Sequence, residues 1–198
     1  MNKKLFGLVT LAIFAFALTS VVAQAAGPVQ WFSDGKLIPA GVVVPVATSG
    51  KLTITLRAPT GAPIGSITCK IKDKDKIQNG PNGGMDEMTM FTFSGCKAKP
   101  SPCPRGTKAE IVALSLPWRS HLTAGPPIRD ELVVALEIRC SRQPFTVLEG
   151  TLAPEVGKST LVFGAGSGTL GGTGGFSAEF KGIDKLKGPM NDKTITAG

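Results

Sequence analysis

Ser94-Gly-Cys-Lys97 has the Ser-x-x-Lys spacing that lets a lysine activate a nucleophilic serine, as in penicillin-binding enzymes. The Ser-Asp-Asn and Lys-Thr-Gly boxes that complete that chemistry are missing, and the flanking alternation reads as strand, not helix. Val156-Gly-Lys-Ser-Thr160 ends like a phosphate-binding loop. That pattern needs glycine at position 152, which is Leu152, and Pro154 interrupts it. His121 is the only histidine, whereas a hydrolytic metal centre needs two or three such ligands. No Gly-x-Ser-x-Gly elbow accompanies it. Asp130, Glu131, Glu137 and Glu149 are the acids to inspect for paired-carboxylate hydrolysis. Asp73, Asp75 and Asn79 offer calcium-type oxygens, but Lys70, Lys72, Lys74 and Lys76 interleave with them and no Glu closes the loop at position twelve. We read Lys70 to Lys76 as a strand end entering a loop, a solvated charged edge that discourages sheet-to-sheet pairing. No catalytic residue, metal or cofactor is assigned.

The same stretch supplies a binding candidate. Lys70, Lys72 and Lys74, with Lys97 and Lys99, are candidate contacts to an anionic surface. The whole chain of 198 residues carries a formal charge of +8, which agrees with that reading. Trp31 and Trp118 could stack on sugar rings if exposed, although burial is the commoner fate of tryptophan.

Compartment follows from residues 1–25. Lys3 and Lys4 precede an uncharged apolar run from Leu5 to Val22, and Ala23-Gln-Ala25 offers the small-x-small cleavage pattern. This predicts a cleaved signal peptide over 1–25 and a single domain over 26–198, secreted or periplasmic. Outside the cytoplasm nucleic acids and nucleotides are not expected partners. An anionic envelope polymer or another surface protein is.

Four cysteines in an exported chain predict two disulfides. Ile67, Cys69 and Ile71 alternate with polar neighbours, and so do Leu132, Val134, Leu136, Ile138 and Cys140. Both Cys69 and Cys140 should point inward, which favours Cys69–Cys140. Cys96 and Cys103 bracket a turn-rich stretch that can close locally, which favours Cys96–Cys103.

The elements that must position these residues are strands. Lys51–Arg57 alternates cleanly, and Ile64–Lys72, Glu87–Gly95, Lys108–Leu116, Glu131–Cys140 and Pro144–Leu152 follow. A Gly/Asn-rich loop is expected before Glu87. Shorter strands are expected at Thr160–Phe163, Gly175–Phe180 and Thr194–Thr196. The Gly-rich segment 164–175 reads as a flexible connection or tightly bent strands. It has neither the following helix of a dinucleotide fingerprint nor the aspartates of a calcium repeat. Together these predict an all-β fold, an antiparallel sandwich or barrel with two disulfides.

Trp31-x-x-Asp-Gly-Lys-Leu-Ile-Pro-Ala-Gly, Ile67-Thr-Cys69, Phe93-Ser-Gly-Cys96, Pro102-Cys103, Ala109-Glu-Ile-Val112 and Cys140 recur together in one arrangement. Over residues 31–150 this resembles a group of exported bacterial proteins. The resemblance implies a two-disulfide β-domain and brings no activity or site residues with it. The expected function is a non-enzymatic binding or structural role at the cell surface or in the extracytoplasmic space. A carboxylate-dependent secreted hydrolase and a secreted inhibitor-like module are the alternatives, the latter presenting the Cys96–Cys103 loop.

Overall fold

The computed structural model describes residues 27–188 and 193–198. The expected signal peptide and its cleavage after Ala25 lie outside them. Every regular element of more than one turn is a strand. β1 (Trp31–Ser33) and β2 (Lys36–Leu37) form a short ribbon, followed by three long strands, β3 (Val44–Arg57), β4 (Pro63–Gly80) and β5 (Gly83–Ala98). Then come β6 (Ala109–Leu114), β7 (Trp118–Thr123), β8 (Arg129–Cys140) and β9 (Gln143–Leu152). β10 (Glu155–Gly157), β11 (Thr160–Phe163), β12 (Thr169–Gly172), β13 (Ser177–Lys187) and β14 (Ile195–Ala197) complete the chain.

The sheet closes on itself. Neighbours run β3-β4-β5-β7-β8-β9-β12-β13, and β13 pairs back along β3 from Ser177↔Arg57 to Lys187↔Ala47. The fold is therefore an eight-stranded antiparallel barrel with extra strands, not an open sandwich. Closure removes the free edges that an open sheet would present. β6 continues the wall beside β7, pairing with the second half of β8, from Ala109↔Cys140 to Leu114↔Ala135. β10 and β11 extend from β13, and β14-β1-β2 form a small separate sheet.

Period-two alternation sorts the side chains. Leu52, Ile54, Leu56, Ile67, Cys69, Ile71, Leu132, Val134, Leu136, Leu148 and Phe180 point inward and are buried. The lysines of β3, β4 and β13 point outward. A membrane-spanning barrel has the reverse pattern, with apolar residues outside. Trp31 and Trp118 are both buried, and their indole N–H groups donate to the carbonyls of Met85 and Leu114. Neither is free to stack on a sugar.

Three sequence expectations need correction. The bridges are Cys69–Cys96 and Cys103–Cys140, not Cys69–Cys140 and Cys96–Cys103. Cys69 does point inward, but β5 and β7 stand between β4 and β8 in the barrel wall. Its partner is on the adjacent strand, where a register shift between Thr68 and Lys70 brings Cys96 to a Cα–Cα distance of 4.1 Å. Cys140 ends β8 half-buried, and there it ties down the β5–β6 loop through Cys103.

Lys70 to Lys76 is not a strand end. β4 runs on to Gly80 and turns through Pro81-Asn82 into Gly83, so the expected Gly/Asn-rich loop is a two-residue hairpin. Asp73 and Asp75 therefore point into the barrel and are almost fully buried. The segment 164–175 takes the second of its two expected forms, tightly bent strand, with β12 bridging β9 and β13. The turn out of β12 uses Gly174 and Gly175 at φ +74° and +80°, a region side chains other than glycine rarely adopt. Missing from the expected set was β7, where the polar alternation Trp118-Arg-Ser-His-Leu-Thr hides three inward residues, Trp118, Ser120 and Leu122.

Candidate functional site: a lysine groove outside the barrel, an aspartate layer inside

β4 sets the arrangement, because its alternation sends lysines out and aspartates in over the same seven residues. On the outer wall Lys70, Lys72, Lys74 and Lys76 stand every second residue, about 7 Å apart. Pairing extends the row in both directions. Lys51 lies directly opposite Lys70. Lys185 and Lys72 flank Ser49, and Lys187 and Lys74 flank Ala47. Among the described residues Lys76 is the only one of these lysines that forms an ion pair, with Glu87 at 3.5 Å.

The face deepens over the Cys69–Cys96 bridge into a groove of about 430 Å³. Lys51, Lys70, Lys97 and Lys99 line it with Ser66 and Thr68, and no acid does. β5 supplies Lys97 opposite Thr68, and Gly95 at φ +58° shapes the floor. The groove thus brings together Lys70, Lys97 and Lys99 of the sequence-based set. Lys72 and Lys74 continue along β4 beyond it. Lys51, Lys185 and Lys187 were missed, because only the register of β13 on β3 places them on this face. Like charges opposed across strands destabilise a sheet. At about 7 Å in water each neighbouring pair costs roughly 0.6 kcal/mol before screening. The arrangement suits a bound polyanion, with lysines as point charges and hydroxyls as hydrogen-bond partners.

A larger cleft of about 610 Å³ adjoins the groove where β5 and β6 part. Phe93, Cys96, Ile111 and Lys108 are among its walls, and Gly95 borders both spaces. The other chemistry-bearing candidates do not assemble. Ser94 and Lys97 are exposed on β5, and His121 is exposed on β7. Lys158-Ser159 forms the tight β10–β11 turn, with Ser159 Oγ accepting from Ile195 N at 3.1 Å. Glu137 is covered on the outer face of β8 and paired with Arg139, and Glu149 is exposed. Asp130 is buried inside the barrel, apart from both.

Inside, Asp130 belongs to a layer that sequence reading did not foresee. Asp73 and Asp75 of β4, Asp86 of β5, Asp130 of β8 and Asp184 of β13 are each at most 7% exposed and turn into the lumen. Thr48 of β3 donates to Asp184 Oδ2 at 2.6 Å and also lies against Asp73 Oδ1. Six carboxylate oxygens have no hydrogen-bond partner: Asp73 Oδ2, both of Asp75, Asp86 Oδ1, Asp130 Oδ1 and Asp184 Oδ1. Among the described residues no lysine or arginine is buried. Burial therefore raises Asp75, Asp86, Asp130 and Asp184. Asp184 is pushed up to about 9 by burial and by Asp73, against the opposing Thr48 hydroxyl. Asp75 and Asp86 are held well above the carboxylate range, first by burial and then by neighbouring aspartates. Asp130 reaches about 6 through burial, with Ser120 and His121 pulling the other way. Among the described residues no three acidic, histidine or cysteine side chains are arranged to hold a metal ion.

Against protein-family models, curated proteins and solved structures alike, the chain has no match.

Proposed function

We propose that this protein is an exported, non-enzymatic β-barrel that binds an anionic polymer of the extracytoplasmic space through its lysine face. The observation that carries the reading is the groove of Lys51, Lys70, Lys97 and Lys99, four cations converging without an acid. Two disulfides support an oxidising compartment. Among the described residues no helix is long and apolar enough to cross a membrane. The mature protein, titrated with a phosphodiester polymer and with a neutral polysaccharide at low and high salt, tests the reading. Binding should be confined to the polyanion and weaken steeply as salt rises. Equal binding to both polymers, or none to the polyanion at low salt, would exclude it.

A further inference from the structure

The aspartate layer has an apolar seal on one side. Two residues beyond Asp75 and Asp184 on their strands stand Ile77 and Leu186, and Leu122 faces Asp130 across β7 and β8. Trp31, Ile38 and Ile195, from the ribbon and β14, are buried at the same end. A Cβ at Gly84, two residues before Asp86, would meet both Leu122 and Trp31 at 2.6–2.7 Å, so the cap sits tightly on the barrel mouth. The cap is joined to the barrel by local hydrogen bonds and not by a strand ladder: Gly84 N donates to the Val29 carbonyl at 2.7 Å, Trp31 Nε1 to the Met85 carbonyl at 3.2 Å, and Ile195 N to Ser159 Oγ at 3.1 Å, while Ser159 N donates back to the Ile195 carbonyl. Asn79 Oδ1 accepts from Trp31 N at 2.7 Å, Asn79 Nδ2 donates to the carbonyls of Trp31 and Ile38, and Gln30 and Gly198 exchange backbone hydrogen bonds.

Within the layer the donors do not suffice. Thr48 has one hydroxyl proton and stands against an oxygen of each of Asp73 and Asp184. Both contacts are satisfied only if one carboxyl is protonated and donates. Ser120 of β7 is buried in the same layer, beside Asp130. The layer is built from Thr48 of β3, Asp73 and Asp75 of β4, Asp86 of β5, Ser120 of β7, Asp130 of β8 and Asp184 of β13. Leu161 of β11 lies opposite Asp184. His121, which pulls on Asp130, is exposed on the outer side of β7, and Arg129, next to Asp130 on β8, is held by Glu155 at 3.3 Å. Among the described residues no buried base accompanies the five carboxylates, and isolated buried charge is far costlier than local opening.

We propose that protons close this end of the barrel: the cap of β1, β2 and β14 stays seated while the lumen aspartates are neutral, and lifts when they ionise. The cap is the element to move because the walls are bound by continuous ladders, whereas an isolated bridge, Ala40↔Asn79, and single hydrogen bonds join the cap to them. The layer is thus a pH-sensitive latch.

The two tryptophans and the absence of tyrosine provide the readout. Trp31 lies in the cap, whereas Trp118 packs on Phe91 at 5.5 Å, on the core side of the layer. Acrylamide quenching of the disulfide-intact protein is followed from about pH 5 to about pH 9, with Trp118→Phe reporting Trp31 and Trp31→Phe reporting Trp118. Quenching of Trp31 should rise several-fold with pH while that of Trp118 stays low. The Asp75→Asn/Asp184→Asn variant should keep Trp31 protected to higher pH. Amide exchange at Gln30 and Gly198 against Ile54 and Leu56, corrected for intrinsic rate, gives the same comparison in the unsubstituted chain. A flat Trp31 response, or loss of protection at both ends together, would overturn the latch. So would protection of Trp31 at high pH by millimolar calcium that the Asn variant abolishes, since a cation and not protons would then neutralise the layer.

Discussion

Gly50 on β3 faces Asp184 on β13, and the space a side chain at Gly50 would need is filled by the other strand. A Cβ there would lie 2.8 Å from Asp184 Cα and 2.9 Å from its Oδ1, besides striking the Ile183 carbonyl. The relation is reciprocal at Gly182, where a Cβ would strike the Lys51 carbonyl and stand 3.0 Å from Leu52 Cα. The seam that closes the barrel thus passes through two glycines, at the level where the lumen changes from apolar to acidic. Gly50→Ala and Gly182→Ala should each destabilise the fold by about 1–3 kcal/mol through overpacking. Urea denaturation measures this. Wild-type midpoints in both variants would show that the strands can part at no cost.

The lumen acids give stability a definite slope with pH. A carboxyl whose folded pKa exceeds its unfolded value binds more protons when folded, so its contribution shrinks as pH rises between the two values. For Asp184 that window runs from 3.8 to about 9, and for Asp130 from 3.8 to about 6. The urea midpoint should therefore fall continuously from mildly acidic pH towards pH 9. Asp184→Asn should flatten that slope and raise the midpoint at the alkaline end. A midpoint that rises with pH, as when ionised acids are paired with bases, contradicts the acid layer.

Relieving the lysine face should separate stability from binding. Lys51→Gln or Lys70→Gln removes an opposed like charge and should leave the fold unchanged or more stable by about 0.2–1 kcal/mol. The same substitutions should weaken polyanion binding several-fold and reduce its salt dependence. Lys158→Gln, on the β10–β11 turn, serves as the control and should leave binding nearly intact. Equal losses from both sets would mean that net charge alone, not the groove, attracts the polymer.

The bridges are directly checkable. Tryptic digestion without reductant should release one linked pair holding Cys69 and Cys96 and another holding Cys103 and Cys140. In the chain-entropy description loops of 27 and 37 residues contribute about 3.5 and about 3.8 kcal/mol. Cys103→Ser/Cys140→Ser should lose roughly that amount and also free the β5–β6 loop beside the larger cleft.

Much of the wall was legible in the sequence, because period-two alternation is a local signal. Leu52, Ile54 and Leu56, and the stripe from Leu132 to Ile138, are inward as that rule requires. What alternation cannot carry is which strands are neighbours. Cys69 was rightly turned inward and wrongly partnered, since only the ring order puts β5 beside it and β8 on the far side. The acid layer was hidden for a different reason. Lys-Asp-Lys-Asp-Lys looks solvated when each residue is judged by its own polarity. Asp73 and Asp75 are buried because the strand's register overrides their preference for water. The groove was partly legible: Lys70, Lys97 and Lys99 stand out on charge alone, but Lys51 joins them only through pairing with Lys70.

The pairing of β3 with β13 has a kinetic side. Eleven residue pairs join strands separated by more than a hundred residues of chain. Contacts so distant in sequence form late, because the intervening loop must be closed before they return any energy. The first long strand keeps one edge vacant until almost the whole polypeptide is available to it. A partly emerged chain can build the hairpins from β3 to β9 but cannot become a ring. That delay agrees with the export proposed above, in which the chain would pass through a pore unfolded and close into a ring only on the far side.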